Sequence, residues 1–307
     1  MDEAETLPER EGFIPFGGYR TYYRIAGTCA PGKLPLLVLH GGPGAAHYYL
    51  QSLDGIARRY GRAVIYYDQS GCGRSQTPVQ ADVWSCSYFL DELACVRRAL
   101  GLDRCHILGQ SWGGMLAMMY AVGSPWHSHD NAGIASLVIA SSPADMDLWL
   151  SEALRLRSYL PPDTEAALAQ ADIDGDYERP EVKAATAEYY RRHVSLVPEH
   201  ERPAHLHNPE PDPVGDACFH TMQGASEFVV TGKLAHWSIV DDLARIAQPT
   251  LITSGIADEC TPLIAKQEAD LIPHAHWELF PGGTHWVHGE QPDRYNRVVE
   301  DFLEAHE

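Results

Sequence analysis

Long apolar runs are missing from this 307-residue chain: none approaches the ~20 residues that cross a bilayer. Positive charge is scarce as well. Only 23 Lys and Arg stand against 42 Asp and Glu, a net charge of −19. A phosphate backbone needs a basic face, so nucleic acid is excluded as a partner, and no membrane partner is expected. The acidic excess serves solubility first, although a negative field also modestly favours a substrate with a free amine. No C-x-x-C occurs. The seven cysteines (Cys29, Cys72, Cys86, Cys95, Cys105, Cys218 and Cys260) are odd in number and scattered. A disulfide framework is therefore not expected, and a reducing, cytoplasmic setting fits. H-E-x-x-H is absent too. The sixteen histidines cluster only as HSH (127–129) and HLH (205–207), in turn-rich surroundings, so neither a metal nor any other cofactor is expected. The first residues, MDEAETLPEREGF, are acidic where an export signal would be basic and then apolar.

What is present is ordinary for a globular protein: 45% apolar and 21% charged residues. The length suits one large domain with an inserted subdomain. After an acidic tail (1–11), FIPF and YRTYYRIAG flank Gly17-Gly18 and predict a hairpin. The continuous apolar runs LPLLVLH (34–40), RAVIYYD (62–68), CHILG (105–109) and IASLVIAS (134–141) predict strands buried on both faces. Helix-patterned segments alternate with them: YYLQSLDGIARRY (48–60), VWSCSYFLDELACVRRALG (83–101) and MLAMMYAVG (115–123). That alternation predicts an α/β fold, a mostly parallel sheet flanked by helices. The rhythm breaks over 143–234, which has helix-like runs, the proline-rich RPAHLHNPEPDPVGD and no convincing buried strand. This segment is expected to be a helical cap inserted between two parts of the core, 12–142 and 235–307. WSIVDDLARI, the strand TLITSG (250–255), a helix, the strand HWELF (276–280) and a last helix close the chain.

One motif stands at a strand-to-helix junction. GQSWG (109–113) fits G-x-S-x-G and falls between CHILG and the helix that follows. The sharp turn needs small flanking residues, which Gly109 and Gly113 provide, and Ser111 projects above the sheet at the positive end of a helix. A serine that merely caps the helix would not require glycine on both sides. To act as a nucleophile, Ser111 needs a base and an acid, and in this architecture they follow in the order Asp or Glu, then His. IADECTP, after TLITSG, offers Asp258 with Glu259 as rival; PGGTHWVHGE, after HWELF, offers His285 with His288 as rival. In this reading His285 takes the serine proton and Asp258 fixes its tautomer. For the oxyanion hole, the expected donors are the backbone N–H groups of Trp112 and of Gly42 in HGGPG (40–44), with Gly41 second. Asp68, Gln69 and Arg74 are expected to shape the loop beneath the site. Trp112, Trp237 and Trp286 are candidates for an apolar pocket or for plain core packing, and Cys260 is a candidate site for thiol reagents.

HGGPG, DQSGCGRS (68–75), GQSWGG (109–114), GASEFVVTG (224–232), DECTP (258–262) and GGTHWVHGE (282–290) together resemble the prolyl iminopeptidases, α/β-hydrolases with a helical cap. The resemblance runs from about Phe13 to the C-terminus and is weakest over 145–220. It implies release of an N-terminal residue, proline above all, from small peptides or amides by an acyl-enzyme route without a cofactor. It also implies that two glutamates hold the substrate's free amine; on this chain they are Glu227 and Glu259. A charged amine taken out of water needs ionised, hydrogen-bonded partners, so the two adjacent acids of IADEC acquire separate tasks. An amino-acid amidase or esterase of broader preference, a general carboxylesterase, and a receptor that kept the fold without the chemistry are the alternatives.

Overall fold

Gly17 and Gly18 both adopt positive φ (57° and 83°), the requirement of a tight hairpin turn, and join β1 (Glu9–Phe16) to β2 (Tyr19–Ala26). The computed structural model describes residues 7–75, 77, 83–203 and 212–307. The HLH cluster at 205–207 and the first six residues of the acidic tail lie outside them. After the hairpin come β3 (Leu36–Leu39), α1 (Asp54–Tyr60), β4 (Val64–Tyr67), α2 (Cys86–Ala99), β5 (Cys105–Gln110), α3 (Trp112–Val122) and β6 (Ile134–Ala140). The strands form part of one eight-stranded sheet in the order β1-β2-β4-β3-β5-β6, completed by β9 (Thr250–Gly255) and β10 (Ala275–Phe280). β1 and β2 are antiparallel to each other, and β2 to β4; every other pairing in this sheet is parallel.

The apolar runs are continuous because both faces of the sheet are covered. Leu37, Leu39, Ile65, Ile107, Leu137 and Ile252 pack on one side, with residues of α2 and α3. Leu36, Val38, Val64, Leu108, Val138 and Leu251 pack on the other, with Ile56 of α1 and Val299 and Leu303 of α10 (Pro292–Glu304). Neighbouring residues on a strand thus serve opposite cores, and each fully buried side chain contributes about 1.5–3 kcal/mol. α3 is buried at every position from Trp112 to Val122, which explains why MLAMMYAV lacks a polar stripe.

Between β6 and β9 the chain leaves the sheet. It forms α4 (Met146–Arg157), α5 (Pro162–Asp174), α6 (Pro180–His193) and α7 (Pro213–Met222), then a ribbon of β7 (Gly224–Ser226) and β8 (Val229–Val230). Asp145 caps α4 by accepting the Leu148 N–H at 2.8 Å. α4, α5 and α6 share a small core of their own with the ribbon, built by Leu156, Leu168, Val182, Tyr189 and Phe228 among others, whereas Cys218 and Met222 of α7 join the main core. The ribbon was not expected from the sequence; its strands are two and three residues long and half-buried, too short for a period of two to register. WSIVDDLARI holds a 3₁₀ turn, Val240–Arg245, before β9. α8 (Pro262–Leu271) links β9 to β10, and α9 (Val287–Glu290) precedes α10. Among the described residues no helix is long and apolar enough to cross a membrane.

Candidate active site

β5 ends at Gln110 and α3 begins at Trp112, so Ser111 alone makes the turn, with φ 55° and ψ −124°. That conformation is rare for a residue with a side chain, and such strain is found where a site requires it. The turn is also crowded. A Cβ on Gly109 would land in the Gly113 carbonyl, and one on Gly113 would land in the Leu39 carbonyl. The Ser111 N–H donates to Ala140 O at 2.9 Å and pins the turn to β6. The Ser111 side chain makes no capping hydrogen bond to α3, so its hydroxyl is not spent on the helix.

The loops after β9 and β10 bring an acid and a base together. Asp258 Oδ1 lies 2.8 Å from His285 Nδ1, with both residues buried. Asp258 is itself held: Oδ1 accepts the Cys260 N–H at 2.7 Å and Oδ2 the Gly255 N–H at 3.4 Å. With Nδ1 facing the carboxylate, Nε2 of His285 is left for the cavity that His285 and Ser111 both line. His288 is elsewhere. It is buried against Tyr49 and Tyr295, its Nδ1 pairs with Ser52 Oγ at 3.0 Å, and burial pulls its pKa down to about 3. It is a neutral packing residue and does not line the cavity. Cys260 is fully buried, and burial pushes its thiol well above the ordinary range, so the structure does not offer it to thiol reagents.

The HGGPG loop passes over the start of α3. The Gly41 N–H donates to the Tyr49 hydroxyl at 2.7 Å, which uses up that donor. Tyr49 in turn donates to Gln110 Oε1. Gly42 lines the cavity with Ser111, and the Trp112 N–H opens α3, where helical N–H groups have no partner within the helix. Beneath the loop, the Gln69 N–H donates to His40 Nε2 at 2.9 Å, its side-chain amide donates to His40 O at 2.8 Å, and its Oε1 accepts the Trp112 indole N–H at 2.8 Å. Burial lowers the His40 pKa to about 4, which keeps its Nε2 an acceptor. Asp68 accepts from His47 Nδ1 at 2.6 Å and from the Arg74 N–H at 2.8 Å.

The cavity is about 240 Å³, smaller than the ~300–1,000 Å³ typical of drug-sized ligands, so it has room for one residue and a short extension. Glu227 and Glu259 face it together. Glu227 sits at the turn of the β7–β8 ribbon, and the loss of water inside the cavity raises its pKa to about 7, against a smaller opposing pull from His285. Burial raises Glu259 well above the carboxylate range, and the charges of Glu227 and Asp258 add to the effect. Glu259 Oε1 stands 3.7 Å from His285 Nε2, while its Oε2 is buried with no hydrogen-bond partner. Two acids so placed call for a cation.

A narrow apolar branch opens beside Ser111, walled by Met115, Pro143, Met146, Trp149 and Leu234. Trp112 and Trp286 line the two spaces. Trp237 lines neither; it packs against Trp126. The residue that sequence reasoning missed is Trp149. It belongs to α4, and nothing local distinguishes it from an ordinary core tryptophan. Among the described residues no group of three or more His, Cys, Asp or Glu could hold a metal ion.

The family model described as alpha/beta hydrolase fold matches residues 35–292. A proline iminopeptidase of Clostridium botulinum is 40% identical over 293 residues, covering 95% of this chain and 97% of that protein. One from Lactobacillus delbrueckii subsp. lactis is 40% identical over 302 residues, with the same two coverages. Among solved structures, the proline iminopeptidase of Mycobacterium smegmatis aligns with TM-score 0.83 and 39% identity over 97% of this chain and 98% of its own. VinJ aligns with TM-score 0.90 and 36% identity over 97% and 99%.

Proposed function

This chain belongs to the alpha/beta hydrolase fold family, in its proline iminopeptidase group, and from that premise we propose that it is a serine aminopeptidase releasing N-terminal proline from small peptides and amides. The observation that carries the reading is the pair Glu227 and Glu259 in one small cavity with Ser111 and His285, one carboxylate oxygen of Glu259 being buried and unpartnered.

The substrate's ammonium docks between Glu227 and Glu259. Its pyrrolidine ring stays in the same cavity of about 240 Å³, directed towards the narrow branch walled by Met146 and Trp149, which at about 10 Å³ does not admit the ring itself. The amine is then held at one depth, so only one residue separates it from the scissile carbonyl, and cleavage is confined to the first peptide bond. Ser111 Oγ attacks that carbonyl while His285 Nε2 takes its proton, and Asp258 stabilises the resulting imidazolium. The developing oxyanion is met by the N–H groups of Gly42 and Trp112, each worth roughly 3–4 kcal/mol of barrier. His285 returns the proton to the leaving amine, and the acyl-enzyme is hydrolysed by water activated by the same imidazole. No cofactor takes part in this cycle. We also assign the protein to the cytoplasm, since all seven cysteines are free thiols and a reducing compartment keeps them so.

The experiment is a comparison of prolyl, alanyl, phenylalanyl and N-acetylprolyl amides on the wild type and on Glu259→Gln. Prolyl amide should be cleaved fastest, the acetylated form should be refused, and Glu259→Gln should lower kcat/KM at least ~10-fold on free-amine substrates alone. Equal rates on acetylated and free substrates would remove the aminopeptidase reading.

A further inference from the structure

α6 ends at His193, and its last carbonyls, like those of any helix, lack partners within the helix. The last of them is taken up by protein. His193 O accepts two backbone N–H groups, from Glu259 at 3.2 Å and from His285 at 3.1 Å. One carbonyl thus joins the loop after β9 to the loop after β10. The His193 ring adds a third bond, with Nδ1–H donating to Ala257 O at 2.9 Å. Asp258 is therefore bracketed by a single residue, which binds its predecessor through the side chain and its successor through the main chain. Val194 O extends the arrangement, accepting the Trp286 N–H at 3.0 Å. Glu290 locks the far side, taking the Leu196 N–H at 2.7 Å, the Thr284 N–H at 2.8 Å and the Thr284 hydroxyl at 2.6 Å.

We propose that His193 is a positioning residue for the catalytic acid and base: the chain leaving α6 clamps the two loops so that Asp258 and His285 stay in register. His193 does not line the cavity and touches no reacting atom; it acts through Asp258 and His285. Its neighbours Tyr190 and Val194 do line the cavity, so a ligand that presses on them presses on the clamp. The Asp258–His285 bond joins groups on two loops that are tied to each other at their bases, by the Ile256 N–H to Phe280 O at 3.2 Å and the Ala257 N–H to Gly283 O at 3.0 Å; beyond these, at Glu259 and His285, His193 O supplies the shared partner. A small displacement of either loop costs catalysis steeply.

The inference rests on the proposed triad, and its test separates the two. His193→Ala removes the bond to Ala257 O; His193→Asn keeps a donor near the position of Nδ1. The readouts are the second-order rate of fluorophosphonate labelling at Ser111, which needs no substrate amine, and the pH profile of that rate. His193→Ala should slow labelling roughly ten-fold. Its acid limb should also move to lower pH, because a carboxylate less well placed supports the imidazolium less. His193→Asn should recover most of both. If Ala and Asn variants label at the wild-type rate with an unmoved limb, the inference falls while the triad stands. If the wild type is not labelled, the triad falls, and the clamp is judged by hydrogen exchange in the unmodified protein. There the amides of Glu259, His285 and Trp286 should exchange in one joint opening with the 190–196 segment; independent opening overturns the clamp.

Discussion

The indole N–H of Trp149 donates to the backbone carbonyl of Glu227 at 3.2 Å, tying α4 to the ribbon that carries the carboxylate. The same ring stands edge-on to the His285 imidazole, with centroids 6.0 Å apart and planes at 67°. One side chain of the inserted helices therefore walls the apolar branch, holds the main chain at Glu227 and lies edge-on to His285. Trp149→Phe keeps the wall and loses the hydrogen bond, about 0.5–1.5 kcal/mol, so kcat/KM on prolyl amide should fall roughly two- to ten-fold. Trp149→Ala removes the wall. Activity on prolyl amide should fall further and the ratio of phenylalanyl to prolyl kcat/KM should rise, as a side-by-side amide assay would show.

Ser111→Gly should separate activity from stability. The positive φ of Ser111 is a strained state costing about 1–3 kcal/mol, and glycine adopts it freely. Glycine gives back about 0.5–1 kcal/mol through the entropy of the unfolded chain. The variant should lose all fluorophosphonate labelling and unfold at the same or a slightly higher temperature, measured by calorimetry. A marked drop in Tm would mean that the turn stores no strain.

Amine recognition should depend on pH in a set direction. With Glu227 raised to about 7 and Glu259 raised as well, the empty cavity holds protons below neutrality. An ammonium must displace them, so KM for free-amine substrates should climb as pH falls below about 7, towards a limit of ~10-fold per pH unit for each proton displaced. Glu227→Gln should flatten that rise. A KM independent of pH between 5 and 8 would sink the arrangement.

Glu268 of α8 is fully buried with both carboxyl oxygens unpartnered, and burial raises its pKa well above the ordinary 4.5. The folded protein therefore prefers Glu268 protonated. Its contribution to stability is fullest below the unfolded-state pKa of about 4.5 and is lost as pH rises towards the folded value. Glu268→Gln should change Tm little at pH 5 and raise it by roughly 2–4 °C at pH 8. Equal shifts at both pH values would contradict the assignment of a neutral buried acid.

Much of the site was legible because it is written directly after strands, CHILG and TLITSG fully buried and HWELF at the half-buried edge of the sheet. Ser111 follows CHILG, Asp258 and Glu259 follow TLITSG, and His285 follows HWELF. Apolar runs announce the strands, and a parallel sheet delivers the loops after them to one rim. Cys260 shows the limit of adjacency: two residues from Asp258 in sequence, it is turned inward and sealed. Trp237, read as a candidate pocket wall, packs away from the cavity, while Trp149 forms one.

The sequence by itself determined the order of strands and helices outside 143–234, the turn at Ser111 and the identity of the groups after each strand, because these depend on local periodicity and on the volume of one or two side chains. It could not show where His193 or Trp149 would lie, nor that the Gly41 N–H would be taken up by a neighbouring side chain, since an isolated histidine, tryptophan or glycine has no local signature of what it will meet. Tertiary structure decided those matters. The Tyr49 hydroxyl reaches Gly41, a helix end meets two loops more than 60 residues further along the chain, and a tryptophan reaches the carbonyl of Glu227 only when the inserted helices fold back over the sheet.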